Sequence, residues 1–163
     1  MKKTFTKVAS VLFVAMLAIW TSNAVAQDGC ANALPIACGD QVFGTTVGLS
    51  PSDGPFCGTA PGTGGSAWYA FTGTGDLVTA SLCGGGTTYD SKLNVYTGAC
   101  GAYVCETGID DFCGLQSEVT WASVAGTVYY INVNGFGAAE GAYQLDVTCA
   151  AAVAGCTDGA TPA

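Results

Sequence analysis

Thr127-Val128-Tyr129-Tyr130-Ile131-Asn132-Val133 and, after a glycine-rich interval, Ala142-Tyr143-Gln144-Leu145-Asp146-Val147-Thr148 decide the fold class. In the second stretch Tyr143, Leu145 and Val147 alternate with Gln144, Asp146 and Thr148. Successive side chains of an extended chain point to opposite faces, so this alternation describes a strand with one dry face and one wet face. Asn134-Gly135 lies between the two stretches and offers the positive φ angles of a tight reversal. The two strands are therefore predicted to form a hairpin, with Gly137 and Gly141 loosening the loop.

The same period of two marks strands near Gln41–Val47, Ser66–Thr72, Leu77–Leu82, Lys92–Thr97 and Glu118–Ser123, with a short one at Tyr103–Glu106. No helical period follows residue 26. Parity puts Trp68 and Ala70 on one face of their strand and Tyr69 and Phe71 on the other. It extends the core through Val78, Ala80, Leu82, Leu93, Val95, Val119, Trp121, Ile131, Val133, Tyr143, Leu145 and Val147. One-faced strands stack as two sheets, so the predicted fold is all-β, an antiparallel β-sandwich, with a closed barrel as the alternative. Gly48 to Gly65 forms a loop longer than compact domains normally use, which predicts a functional loop or one pinned by a bridge.

At the start of the chain, Lys2 and Lys3 precede an apolar run from Val8 to Trp20, and Ala24-Val25-Ala26 follows. That is the pattern of a signal peptide over residues 1–26, whose removal leaves Gln27 or Asp28 at the new N-terminus. A spanning helix needs roughly 20 apolar residues, and this run is shorter and ends in Thr21-Ser22-Asn23. Cleavage also removes Lys2, Lys3 and Lys7. Lys92 is then the one cation against 12 carboxylates, a net charge of −11. Such a surface repels nucleic-acid phosphates and anionic lipid, so neither nucleic acid nor membrane is an expected partner. Divalent cations are what it attracts. The folded domain is expected over residues 27–149. Residues 150–163 read as an Ala-rich linker followed by the start of a truncated segment at Gly155-Cys156-Thr157-Asp158.

Nine cysteines in an exported chain predict a disulfide framework. Cys30, Cys38, Cys57, Cys83, Cys100, Cys105, Cys113 and Cys149 fall inside the expected domain, and eight cysteines allow about 105 pairings. Cys100 with Cys105, across a short turn, is the pairing that spacing suggests. Zinc ligation is disfavoured, because the chain has no His and no Cys-x-x-Cys pair.

Lack of histidine also removes the usual nucleophilic triads, and a Ser-Lys device would have to use Lys92 in mid-strand. A carboxylate pair, as in glycoside hydrolysis, is the catalytic device that the composition permits. Calcium suits the acids better, since it takes hard oxygen ligands gathered from loops. Asp110 and Asp111 are adjacent in a loop, and Asp90 just precedes a strand that could neighbour it, so these three are the candidate metal ligands. A turn stabilised by Asp side chains is the plainer alternative. Trp68, Trp121, Tyr129, Tyr130 and Tyr143 could stack a sugar, but alternation already assigns them to packing. Phe136, on the glycine-rich loop, is the aromatic expected to be exposed.

Cys30-Ala31-Asn32-Ala33, Cys38-Gly39, Ala67-Trp68-Tyr69-Ala70-Phe71-Thr72-Gly73-Thr74-Gly75 and Tyr89-Asp90-Ser91-Lys92-Leu93-Asn94-Val95-Tyr96-Thr97-Gly98 belong to one ordered pattern. Asp110-Asp111-Phe112-Cys113-Gly114 and Gly126-Thr127-Val128-Tyr129-Tyr130-Ile131-Asn132-Val133 complete it. Together, over about residues 28–149, they resemble the bacterial pre-peptidase C-terminal (PPC)-like domains of secreted and cell-surface proteins. The resemblance implies a jelly-roll-like sandwich with an accessory role, in some cases calcium-binding, appended to further domains of the same polypeptide. Many relatives carry Gly-Asn-Asp-Asp where this chain has Gly108-Ile109-Asp110-Asp111, one oxygen ligand fewer. The expected function is a non-catalytic extracellular module for attachment or spacing, with a polysaccharide or protein matrix as partner. The alternatives are a ligand-free, protease-resistant surface protein and, behind it, a carboxylate glycosidase.

Overall fold

A computed structural model describes residues 27–152. The predicted signal peptide and the segment Gly155-Cys156-Thr157-Asp158 lie outside the described residues. A 3-10 turn at Cys30–Asn32 leads into strands β1 (Leu34–Ile36), β2 (Gln41–Thr45), β3 (Ala67–Thr72), β4 (Leu77–Ser81), β5 (Ser91–Ala99), β6 (Ala102–Ile109), β7 (Glu118–Ala122), β8 (Val128–Gly135) and β9 (Ala142–Ala150). They form a five-stranded sheet in the order β1-β3-β8-β5-β6 and a four-stranded sheet in the order β2-β9-β4-β7. Two sheets with free edges make a sandwich rather than a closed barrel. All pairs are antiparallel except β1 with β3.

β1 has no alternating signal, because Pro35 breaks the reading. It survives as a strand because it lies at a sheet edge, where a missing N–H costs no ladder bond.

The core between the sheets takes Tyr69, Phe71, Leu93, Val95, Ile131 and Val133 from one side and Val78, Ala80, Trp121, Tyr143, Leu145 and Val147 from the other. Parity is thus resolved in favour of Tyr69 and Phe71. Trp68 instead joins a second buried cluster with Cys30, Cys57 and Tyr96, its ring stacked on Tyr103 at 5.4 Å between centroids.

The predicted hairpin at Asn134-Gly135 does not form. β8 runs straight through both residues, pairing Lys92 with Asn134 and Ser91 with Gly135. β9 lies in the other sheet, and the chain crosses over through Phe136–Gly141 with its positive φ at Gly137. Asn134 is fully buried, and its amide donates to Asn94 Oδ1 at 3.0 Å and Asn132 Oδ1 at 2.8 Å. A side chain engaged in that way is no longer a turn former. Gly135 is required for closeness instead, since a Cβ there would run into the carbonyl of Ala139.

Cysteine pairing also departs from expectation. The bridges are Cys30–Cys100, Cys38–Cys149, Cys57–Cys105 and Cys83–Cys113. Cys100 sits in the β5-β6 turn, while Cys105 is three residues past the first rung, Ala99 with Ala102, and faces Tyr96. At ~3.4 Å per strand residue that offset is about 10 Å, beyond the roughly 7 Å between Cα atoms that a disulfide can span. All eight cysteines of the domain are oxidised, which leaves no thiolate there for zinc.

The long loop Gly48–Gly65 lies over the outer face of the five-stranded sheet as a third layer. Tyr96, Asn94 and Lys92, alternate residues of β5, donate in turn to the loop carbonyls of Pro55 (2.7 Å), Cys57 and Thr59 (2.9 and 3.0 Å) and Ala60 (3.3 Å). Gly62 N–H donates to Asn134 Oδ1, and Cys57–Cys105 fastens the loop to β6.

Candidate functional site

Antiparallel pairing of β5 with β6 sets Leu93 against Ile109. That register brings the residues just before β5 beside those just after β6, so Asp90 meets Asp110 and Asp111. One carboxylate oxygen from each of the three lies within 4.8 Å of the others. The structure therefore gathers the three acids that the sequence singled out. Phe136 N–H donates to the Asp90 carbonyl at 3.0 Å, tying the β8-β9 crossover to the site. Ser117 Oγ lies within reach of the main-chain oxygens of Ser91 (2.6 Å) and Asp110, which holds the two entry points in register. Cys83–Cys113 anchors the loop beyond Asp111.

Lys92 is the member that sequence reading missed. Its ammonium is 3.2 Å from Asp110 Oδ2 and 4.8 Å from the centroid of the Phe136 ring, and it is almost wholly buried. Proximity was its one sequence signal, since Lys92, the one cation among the described residues, stands two residues from Asp90, but which face carries its ammonium is not local information. Phe136 is 57% exposed, so the ring roofs the ammonium with one face and meets solvent with the other. Trp68, Trp121, Tyr129 and Tyr143 are buried and offer no sugar platform.

Three carboxylates against one ammonium leave an excess of negative charge. Burial, then Asp111 and Asp110, push the Asp90 carboxyl above its ordinary range, while Lys92 opposes them. Oδ1 of Asp90 and Oδ1 of Asp110 are both shielded from solvent and accept no hydrogen bond from any described residue. Hard, orphaned oxygens on converging carboxylates fit a divalent cation such as calcium. Ile109, just before Asp110, packs against the main core and adds no oxygen side chain.

No family model and no curated protein matches the sequence. Solved structures supply the likeness. The chain resembles a pre-peptidase C-terminal domain. That of a Bacillus anthracis collagenase is 15% identical over 71% of this chain and 94% of its own, with a TM-score of 0.45. A periplasmic inhibitor of g-type lysozyme from Aeromonas hydrophila is 15% identical over 72% of this chain and 96% of its own, with a TM-score of 0.46.

Proposed function

We propose that the chain is a non-catalytic accessory module of an exported protein, serving attachment or spacing, and that Asp90, Asp110 and Asp111 hold calcium. The observation that supports this is the pair of buried, unpartnered carboxylate oxygens in a cluster with excess negative charge. Bound there, calcium would neutralise the acids and fasten the start of β5 to the loop after β6. It would act as a clamp on the end of the sandwich where Phe136 is exposed, the face suited to a polysaccharide or protein matrix.

The test is thermal unfolding of the secreted protein with calcium or with chelator. Extracellular calcium modules bind with Kd near 1 mM at the weak end. At ten times that concentration, binding to the native state adds about 1.4 kcal/mol. The gain should saturate and vanish in Asp90→Asn and Asp111→Asn. Unchanged unfolding at 10 mM calcium, a concentration about tenfold over that Kd, would sink the calcium reading.

A second reading, a ligand-free structural spacer, is favoured by the strapped third layer and four bridges. It expects protease resistance that collapses on reduction whether or not calcium is present.

A further inference from the structure

Gln27 is held at three of its polar groups. Its N–H donates to the Asn32 carbonyl at 3.2 Å, its own carbonyl accepts from Trp68 N–H at 3.1 Å, and its side-chain Oε1 accepts from the Tyr143 hydroxyl at 3.1 Å. Tyr143 is in turn 2.7 Å from the Tyr69 hydroxyl. Both phenols are buried, and burial raises both pKa values, so each keeps its proton. With Tyr143 donating to Gln27, the Tyr69 proton goes to Tyr143. Gln27 Nε2 has no partner among the described residues.

The backbone carries a second signal. Gln27 has φ +80°, the one positive φ at a non-glycine among the described residues. That region is unfavourable for a side chain with a Cβ. The strain exists only while a residue precedes Gln27, and the expected signal-peptide cleavage falls between Ala26 and Gln27.

We propose that Gln27, freed as the new N-terminus, cyclises to pyroglutamate within the folded domain, with Tyr143 as the hydrogen-bond donor to the reacting carbonyl. The α-amino nitrogen attacks Cδ, a new C–N bond forms, the bond from Cδ to Nε2 breaks, and ammonia leaves carrying one proton from the amine. No oxidant or co-reactant is needed. The product keeps an N–H, the side-chain carbonyl and the main-chain carbonyl, the three groups the fold already holds. The group expelled is the one without a partner. A phenol aimed at the carbonyl oxygen also stabilises the charge that gathers there during attack. Cyclisation removes the α-ammonium and leaves Lys92 as the sole cation of the mature chain.

The inference rests on cleavage after Ala26, so the first measurement is the N-terminal peptide of the secreted protein by mass spectrometry. A peptide starting at residue 27, lighter by one ammonia and resistant to Edman degradation, is expected. A free amine on Gln27 in aged protein, or a different first residue, would overturn the proposal. Its dependence on the fold is read separately by releasing Gln27 in vitro from a cleavable tag and timing ammonia loss. The folded chain should cyclise on the order of tenfold faster than the reduced, denatured one, a fraction of what a buried oxyanion donor supplies. Tyr143→Phe should fall to the denatured rate. Tyr69→Phe, which leaves the Tyr143 donor in place, controls for core damage and should stay fast. Equal rates in folded and denatured chains, or two equally slow variants, would overturn the role of Tyr143.

Discussion

The two sheets meet the same core but treat their outer faces in opposite ways. On the four-stranded sheet the outward residues behave as half-buried strands normally do: Thr79 bonds Thr120 across the strands at 2.8 Å, Gln41 bonds Asp146 at 2.7 Å, and Phe43 stands 68% exposed. On the five-stranded sheet, Asn94, Tyr96, Asn132 and Asn134 are fully buried under the loop Gly48–Gly65. A polar face can be covered only if what covers it supplies hydrogen-bond partners, because an unpaired buried amide costs about 1–3 kcal/mol. The loop does this with successive main-chain carbonyls, and the bridge Cys57–Cys105 holds it in place. The polar row that looks like surface in sequence is therefore interior. Its Lys92 end also reaches Asp110, so the strap and the candidate cation site share a side chain.

The largest effect should come from cutting the strap. Cys57 and Cys105 are separated by 48 residues, and releasing a loop of that length costs about 4 kcal/mol in the chain-entropy limit, with roughly 2–4 the usual range. Cys57→Ser with Cys105→Ser should lower unfolding free energy by that order in a denaturant titration. It should also admit chymotrypsin at Phe56, which is exposed on the loop. If the double variant is as stable and as resistant as the parent, the loop is held by its hydrogen bonds alone.

Next comes the polar row itself. Asn94 donates to Cys57 and Thr59 and accepts from Asn134. Asn94→Ala strands two loop carbonyls and one amide at once, so a loss of about 2–3 kcal/mol is expected from groups left buried and unpaired. A loss below about 0.5 kcal/mol, the range of ordinary surface positions, would mean water enters and the third layer is looser than its contacts indicate.

These contrasts also explain what could be read in advance. Strand positions and inward parity follow from local alternation, and Tyr143-Gln144-Leu145-Asp146-Val147 states its two faces outright. Local pattern could not say that Lys92-Leu93-Asn94-Val95-Tyr96 is buried on both faces, because the loop residues that cap it, Pro55 to Ala60, lie more than thirty residues earlier in sequence. Asn134-Gly135 misled for a related reason. Its composition suits a reversal, but the outcome was decided by the cross-strand partner Asn94, forty residues away, which no local window contains. Likewise Cys100 and Cys105 are near in sequence, yet strand direction carries them apart. The acids were legible, since two adjacent Asp in a loop and one before a strand need only a β5-β6 hairpin to meet. The Lys92 partnership was not, because its ammonium reaches the site along the outer face of β5.

The smallest effect belongs to the uncovered face, and it is what makes the comparison a test. Thr79 and Thr120 share an exposed hydroxyl pair on facing rungs of β4 and β7. Thr79→Val keeps the branched shape that a pleated surface favours and removes only a hydrogen bond that water can replace. Its effect should lie within about 0.5 kcal/mol, of either sign, in the same denaturant titration that finds Asn94→Ala several times larger. Both changes delete side-chain hydrogen bonds in one sandwich, so chemistry alone would predict similar costs. If Thr79→Val proves as damaging as Asn94→Ala, the four-stranded sheet is covered too, by something that binds it in solution. Its outer face would then join the strapped sheet as interior.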